Sequence, residues 1–139
     1  MRAIISIAVF MICSIAYCQI GINTATPLST LDINGNLSVK VVTLIGSSSV
    51  TDISDGVYIT IDPQATDQEF RLPSPITYPG RIYYIRNISD TYTAKLTTAA
   101  ANMFFQNVTT GGINTLYMYD NHYRTIMVVS DGLNWTLFD

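Results

Sequence analysis

A hairpin signal near the C-terminus most constrains what this chain can fold into. Two apolar runs within residues 123–138, YRTIMVVSDGLNWTLF, flank the dipeptide Asp131-Gly132. Asp-Gly favours a tight type I′ turn because both central residues need positive φ, which glycine adopts freely and aspartate tolerates. We therefore predict strands over 124–129 and 134–138 and an all-β domain around them.

The first 18 residues have the pattern of a secretory signal peptide. A short basic start precedes an apolar run over 3–15, which has the length of a signal-peptide core rather than that of a membrane span. Ala16 and Cys18 are small residues at the two positions that signal peptidase inspects. We predict cleavage before Gln19 and a secreted chain without a membrane span.

Both cysteines, Cys13 and Cys18, lie in the segment that is removed. The secreted chain then has no thiol, no disulfide and no thiolate metal site. The alternative is an outer-membrane lipoprotein that carries its lipid on Cys18. Tyr17 stands where that signal usually has a small residue, and an apolar motif follows where lipoproteins usually have a polar tether. The pattern therefore favours ordinary secretion.

The segment after the cleavage site has a distinctive order of residues. Residues 19–37 read QIGINTATPLSTLDINGNL. This stretch resembles a motif of secreted surface proteins of Gram-negative bacteria and of phage tail-fibre proteins, of the form G-I-G-T, then a proline, then L-D-V-x-G-N. Asn23 stands where that motif has its second glycine. The resemblance implies a fibrous, often trimeric, region or a small β-domain, and it supplies no catalytic residue.

Six apolar residues of this segment are too few to form a core alone: Ile20, Ile22, Leu28, Leu31, Ile33 and Leu37. They must lie against another surface, because unburied apolar area favours association. Two interpretations stay open. The extended motif, placed at 19–45, either packs on its own domain or joins neighbouring copies, and the resemblance favours a homotrimer.

Residues 50–139 are predicted to form one all-β domain. The predicted strands are short, alternate in polarity and are bounded by turn residues; they cover 57–61, 68–72, 81–88, 92–98 and 114–119. The alternation places Val57, Ile59 and Ile61 on one face of a strand and turns Phe70, Leu72, Ala94 and Leu96 inward. Residues 99–108 are predicted to be a loop or a short strand. The fold class is a small antiparallel β-sandwich or β-roll, preceded by the signal helix and the extended segment.

Two sequence patterns in this domain lie far apart in the chain. Residues 79–87 have the form P-G-x-x-Y-x-I-x-N, and residues 130–135 have the form S-D-G-x-N-W. Their order and spacing resemble a small β-domain of tail-fibre and secreted adhesin-type proteins, over about 57–139. The resemblance implies a structural or receptor-contacting role without an active site.

Charge and histidine content exclude several functional classes. The net charge of −3 and the absence of a basic run argue against a nucleic-acid or anionic-membrane partner. His122 is the only histidine and has no cysteine or second histidine to complete a metal site, so we predict a turn histidine. No catalytic, cofactor-binding or metal-binding residue is predicted.

Five carboxylates form a loose acidic cluster, namely Asp52, Asp55, Asp62, Asp67 and Glu69. They could bind calcium, but the D-x-D-x-D-G loop is absent, so solvated turn carboxylates are the favoured interpretation. Asp62 and Glu69 could also be a glycosidase pair, since two carboxylates suffice for that chemistry. No nucleophile–base or acid–base set supports an enzyme, and a small secreted hydrolase stays a remote alternative.

Aromatic residues are the best functional lead in the sequence. They lie on or near predicted strands: Tyr83, Tyr92, Tyr117, Tyr119, Tyr123 and Trp135. Strand alternation turns some of them outward, where they can stack on sugar rings or fill a subunit interface. Trp135 alternates with Leu133 and Leu137 and is predicted to lie in the core.

Together these patterns predict a secreted structural or adhesive module of a cell surface or fibre-like assembly, without catalytic activity or cofactor. The alternative is a monomeric carbohydrate-binding module, which would have an exposed aromatic platform and no apolar patch over 19–37. The partner is a second copy of the chain, with a surface glycan or protein as a further candidate.

Overall fold

The structure, a computed structural model, describes residues 20–26, 29–119 and 121–139. The predicted signal helix, the cleavage site before Gln19 and the lipidation candidate Cys18 lie outside these residues. Within them, no helix has both the length and the apolar character needed to cross a membrane.

The described residues form twelve strands and one short 3-10 helix, and the prediction of an all-β protein is confirmed. The elements are β1 (Ile20–Ile22), β2 (Leu31–Ile33), β3 (Val41–Ile45), β4 (Thr51–Asp52), β5 (Tyr58–Asp62), β6 (Gln68–Leu72), the 3-10 helix (Pro75–Thr77), β7 (Ile82–Asn87), β8 (Ala94–Thr98), β9 (Met103–Phe105), β10 (Thr115–Met118), β11 (Thr125–Ser130) and β12 (Trp135–Phe138).

The chain divides into two compact units, Met1–Ser38 and Val39–Asp139. In the first, β1 and β2 pair in parallel, with Ile20 opposite Leu31. Asn23 ends β1 with a φ of 57° and donates its side-chain amide to the Asn34 carbonyl at 3.0 Å. Left-handed backbone suits glycine and asparagine, which explains why asparagine is accepted where the resembling motif has glycine.

The larger unit consists of two sheets between which the chain alternates. The six-stranded sheet has the order β3-β5-β7-β11-β12-β9, and the four-stranded sheet has the order β10-β8-β6-β4. From β3 to β8 the chain crosses to the other sheet after every strand. Neighbours within a sheet are therefore two strands apart in sequence and run parallel, as in a flattened coil. β3, grouped above with the N-terminal motif, is part of this coil.

The prediction of antiparallel sheets was wrong, because both sheets are mixed and largely parallel. The turn residues Gly56 and Pro63, which would suit hairpins in an antiparallel sheet, lie at corners where the chain passes between sheets. Antiparallel pairing is confined to β7–β11–β12 and to β8–β10. Polarity alternates in the same way along either kind of strand, so the pattern alone does not give strand direction.

One apolar core lies between the two sheets. Each sheet turns alternate side chains inward; the buried residues include Ile59, Ile61, Tyr83, Ile85, Ile126, Val128, Trp135 and Leu137 from the larger sheet, and Phe70, Leu72, Ala94, Leu96, Leu116 and Met118 from the smaller. The four inward positions predicted from alternation are all among them, and so are Ile59 and Ile61, whereas Val57, predicted to share their face, is half-buried and precedes β5. This burial supplies the main stabilisation of the unit.

The C-terminal hairpin is confirmed, but the predicted type I′ turn is not. Ser130 and Trp135 are the last pair of β11 and β12, so four residues form the loop. Gly132 has positive φ (90°) and Asp131 does not. Instead, the Asp131 carboxylate accepts hydrogen bonds from the backbone N–H groups of Leu133 (2.7 Å) and Asn134 (2.6 Å), which stabilises the longer loop. Leu133 therefore lies outside the strand and is 69% exposed.

The hairpin also holds the proline-rich crossing that follows β6. Trp135 Nε1 donates to the Pro73 carbonyl at 3.1 Å, and Ser130 Oγ donates to the Pro75 carbonyl at 2.9 Å. The Trp135 ring packs 5.8 Å from that of Tyr83, between ring centroids. Buried polar groups need such partners, because an unpaired group retains its desolvation cost.

Asn87 connects the two sheets at the end of β7. It is fully buried, and its side-chain N–H groups donate to the carbonyls of Tyr92 (3.0 Å) and Met118 (2.9 Å). Its side-chain oxygen accepts from the N–H of Ser89 at 3.0 Å. Because Met118 belongs to β10, this side chain joins the larger sheet to the smaller one.

We expect Trp135→Ala to lower the free energy of unfolding by about 3–5 kcal/mol, because it removes a large buried ring and leaves a cavity. Leu133→Ala in the same hairpin is the matched control and should stay within about 0.5 kcal/mol of the wild type. Urea unfolding followed by circular dichroism measures both. Equal losses for the two variants would contradict the placement of the indole.

Asn87→Ala should cost about 2–4 kcal/mol of unfolding free energy, because two buried carbonyls lose their donors. Asn114→Ala, at an exposed position, is the control and should change stability by less than about 0.5 kcal/mol. The same urea titration applies. A near-neutral Asn87→Ala would mean that the amide does not hold the sheets together.

Candidate interaction surface

The outer faces of the two sheets differ sharply in chemistry. On the four-stranded sheet, the side chains directed away from the core include four charged groups that pair with one another. On the six-stranded sheet they are mainly apolar and aromatic. A solvated sheet face is normally polar, so the larger sheet carries the candidate interaction surface.

The apolar face of the larger sheet consists of two rows that run across the strands. In the first row, successive register partners are Val41, Tyr58, Tyr84, Met127 and Phe138. In the second, they are Ile82, Val129, Thr136 and Phe104. We call these nine residues the tyrosine face. Val41 is 61% exposed, Tyr84 44% and Ile82 42%.

A polar row borders the tyrosine face on one side. Its register partners are Thr43, Thr60, Arg86 and Thr125, and we call it the threonine row. Thr60 Oγ1 donates to Thr43 Oγ1 at 2.8 Å. Arg86 lies two residues after Tyr84 on the same face of β7 and is exposed. The row therefore places hydroxyl groups and one guanidinium directly beside the aromatic rings.

The charged face of the smaller sheet holds two cross-strand ion pairs. Arg71 Nε and Nη2 donate to the two carboxylate oxygens of Asp52 at 2.7 and 3.1 Å, which lowers the pKa of Asp52. Lys95 Nζ donates to Glu69 at 3.0 Å, and Thr97 Oγ1 donates to the other oxygen at 2.8 Å. These two hydrogen bonds lower the pKa of Glu69, with that from Lys95 the larger cause.

The five carboxylates of the acidic cluster do not converge on one site. Asp52 and Glu69 are held as above, and Asp55 pairs with Lys40, which lowers the pKa of Asp55. Asp62 and Glu69, weighed as a glycosidase pair, lie by strand alternation on the outer faces of different sheets. In the described residues, no group of three or more His, Cys, Asp or Glu side chains could hold a metal ion.

His122 lies in the loop between β10 and β11. Its backbone carbonyl accepts from the Tyr119 N–H at 2.9 Å, and its ring packs against that of Tyr123. The side chain is exposed, as a turn histidine would be. His122 therefore contributes to the local packing of this loop.

The aromatic residues singled out from the sequence divide between core and surface. Trp135 is buried as predicted, and Tyr83 is buried beside it. The side chains of Tyr92, Tyr117 and Tyr119 are exposed, at 38–43%. Tyr117 and Tyr119 lie 6.4 Å apart, between ring centroids, on or beside β10 and not on the tyrosine face. Tyr123 is half-buried and packs 5.3 Å from Phe105.

Sequence reasoning missed the two tyrosines that lie together. Tyr58 and Tyr84 are direct register partners on the parallel strands β5 and β7. Alternation along β7 puts Tyr84 on the same face as Ile82, but it does not say which face is outward. Arg86 was the available signal, because arginine is almost never fully buried unless it is paired. Asn87 is a polar residue on the opposite face of β7, so polarity alone did not show which face is inward.

The sequence matches no protein-family model, no curated protein and no solved structure. The tyrosine face and the threonine row are thus identified from the structure alone.

The coupling between Glu69 and Lys95 should depend on pH. The folded-state pKa of Glu69 is lowered, so its contribution to stability is present above the ordinary value of 4.5 and is lost as the pH falls through the folded-state pKa. A double-mutant cycle with Glu69→Gln and Lys95→Gln measures the coupling from unfolding free energies. We expect a small favourable coupling at pH 7 and a smaller one at pH 3; equal values would contradict the ion pair.

Proposed function

We propose that the protein is a secreted structural or adhesive module of a bacterial cell surface or fibre-like assembly, and that it forms a homotrimer. The observation that carries this proposal is the exposed apolar surface of the N-terminal unit. Ile20 is 55% exposed, Ile22 51%, Leu31 53% and Leu37 68%. The resemblance of this segment to surface and tail-fibre proteins supports the trimer and the secreted location.

The N-terminal unit has little to stabilise it within one chain. β1 and β2 contribute three residues each and pair in parallel, and isolated two-stranded pairs are marginal in water. The exposed residues Ile20 and Leu31 are register partners, so their side chains form one apolar strip. Covering that strip with equivalent strips from other copies would bury apolar area and stabilise the pairing.

The proposed function includes no catalysis. The carboxylates with the clearest hydrogen bonds form ion pairs with lysine and arginine side chains on the surface. One depression of about 440 Å³, between residues 47–50 and 65–69, is lined in part by Asp67 and Glu69. Glu69 is already bound to Lys95 and Thr97 there. A hydrolase would need a carboxylate free to act as acid or base.

A monomeric carbohydrate-binding module is the second candidate, and the adjacent Tyr58 and Tyr84 favour it. That candidate also requires a polar N-terminal segment, whereas the segment found here exposes four large apolar side chains. Glycan contact is therefore better placed as the adhesive part of an assembled protein than as the role of a monomer.

Light scattering behind a sizing column tests the assembly with residues 19–139. We expect the mass of a trimer for the wild type and of a monomer for the double variant Ile20→Ser/Leu31→Ser, because the apolar strip is removed. Leu133→Ser changes an equally exposed leucine on the hairpin loop and should leave the trimer intact. A wild-type monomer at high concentration would refute the proposal.

A further inference from the structure

We propose that Tyr58, Tyr84 and Arg86 form a binding site for an acidic oligosaccharide. Its sugar rings lie on the two tyrosines, and a ring carboxylate pairs with the guanidinium of Arg86. This inference rests on the adhesive part of the proposed function and is independent of assembly through the N-terminal unit.

Arg86 differs from the other cations of the described chain. Four of the six described lysines and arginines form ion pairs: Lys40, Arg71, Lys95 and Arg124. A fifth, Arg81, lies over the Tyr78 ring at 3.9 Å from the ring centroid and bonds to the hydroxyl group of Tyr83. Among these six, Arg86 alone has no ion pair, hydrogen bond or ring contact of its side chain. A free guanidinium offers five donors in a planar fork that matches a carboxylate.

The neighbours of Arg86 leave its charge uncompensated. Its register partners on β5 and β11 are Thr60 and Thr125, which are neutral. Asp62 is the one acidic residue of the strands on this face, and it forms no ion pair with Arg86 although it lies only two residues beyond Thr60. A ligand carboxylate would therefore supply the ion-pair partner that Arg86 lacks.

The two tyrosines supply the apolar half of the site. Tyr58 and Tyr84 are adjacent across two parallel strands, about 4.8 Å apart in the backbone. Tyr84 is 44% exposed, so its ring is available from solvent. Tyrosine combines a flat apolar ring with a hydroxyl tip. A sugar ring needs the same combination, since its C–H face is apolar and its rim is hydroxylated.

The threonine row supplies hydrogen-bonding groups along the border of the site. Thr43 and Thr60 are linked at 2.8 Å, and each hydroxyl group retains a further lone pair. Ligand sites generally combine an apolar surface with a few placed polar groups. Here the apolar rings, the hydroxyl groups and the cation lie on three neighbouring strands.

The extent of the tyrosine face favours a saccharide over a stable protein partner. The tyrosine face and the threonine row together span six strands by five residues, or about 24 Å by 13 Å, at 4.8 Å between strands and 3.3 Å per residue. That is a few hundred Å², whereas a standard protein–protein interface buries about 800 Å² on each partner. An extended chain of a few sugar rings fits the available area.

Titration calorimetry with three acidic oligosaccharides tests the proposal, namely oligogalacturonate, oligoalginate and oligohyaluronate. We expect the wild type to bind at least one of them, more weakly as salt increases, and to lose about tenfold or more in affinity for the uncharged methyl ester. Arg86→Gln and Tyr84→Ala should each weaken binding about tenfold or more, because they remove the charge-assisted contact and the ring platform.

The matched controls are Arg71→Gln and Tyr117→Ala, which change an arginine and an exposed tyrosine on the smaller sheet. They should bind like the wild type, and all four variants should stay folded at the temperature of the titration, as circular dichroism spectra would show. The proposal is overturned if none of the three saccharides binds, if the methyl ester binds equally well, or if Arg86→Gln behaves like Arg71→Gln.

The oligomeric state of the same variants separates this site from the assembly surface. The Ile20→Ser/Leu31→Ser variant should still bind the saccharide while it loses the trimer. If Arg86→Gln or Tyr84→Ala dissociates the trimer, the tyrosine face is a protein interface and the saccharide proposal fails. Loss of saccharide binding alone leaves the assembly proposal standing.

Discussion

Parallel pairing of successive coils is the constraint on which the larger unit depends. Two parallel strands cannot be joined by a tight turn, so the chain must leave the sheet and return to the same end before it pairs again. Here it returns through the opposite sheet, which covers the apolar side of the first. The same crossings between the sheets therefore set the strand direction and close the apolar core. The outer face of each sheet takes no part in that core.

The coil ends where polar groups from distant parts of the chain meet. Asn87 joins the end of β7 to β10 through the Met118 carbonyl, and Trp135 donates a hydrogen bond to the proline-rich crossing after β6. Both side chains donate hydrogen bonds to carbonyls in distant segments of the chain. Antiparallel strands β10, β11 and β12 then complete the two sheets. The single tryptophan and one asparagine therefore help to convert an open coil into a closed unit.

Local patterns in the sequence predicted strands and inward residues well, and long-range pairing poorly. Phe70, Leu72 and Leu96 were placed inward because polarity alternates along a strand whatever its neighbours are. Strand direction failed because a corner and a hairpin use the same turn residues. The Asp131 loop failed because its geometry depends on the carboxylate binding two backbone N–H groups. The Tyr58–Tyr84 pair needed the register between β5 and β7, which no local pattern contains.

The coils differ in length while their register is kept. Val41 is opposite Tyr58, 17 residues later in the chain, and Tyr58 is opposite Tyr84, 26 residues later. The connection after β6, residues 73–81, is longer than the connection after β4, residues 53–57, and both lie outside the strands of the sheets. A lineage of such proteins can therefore gain or lose residues at the corners without moving the aligned side chains on the flat face. The connections between strands can therefore change in length, whereas the tyrosine face can change only by substitution of its side chains.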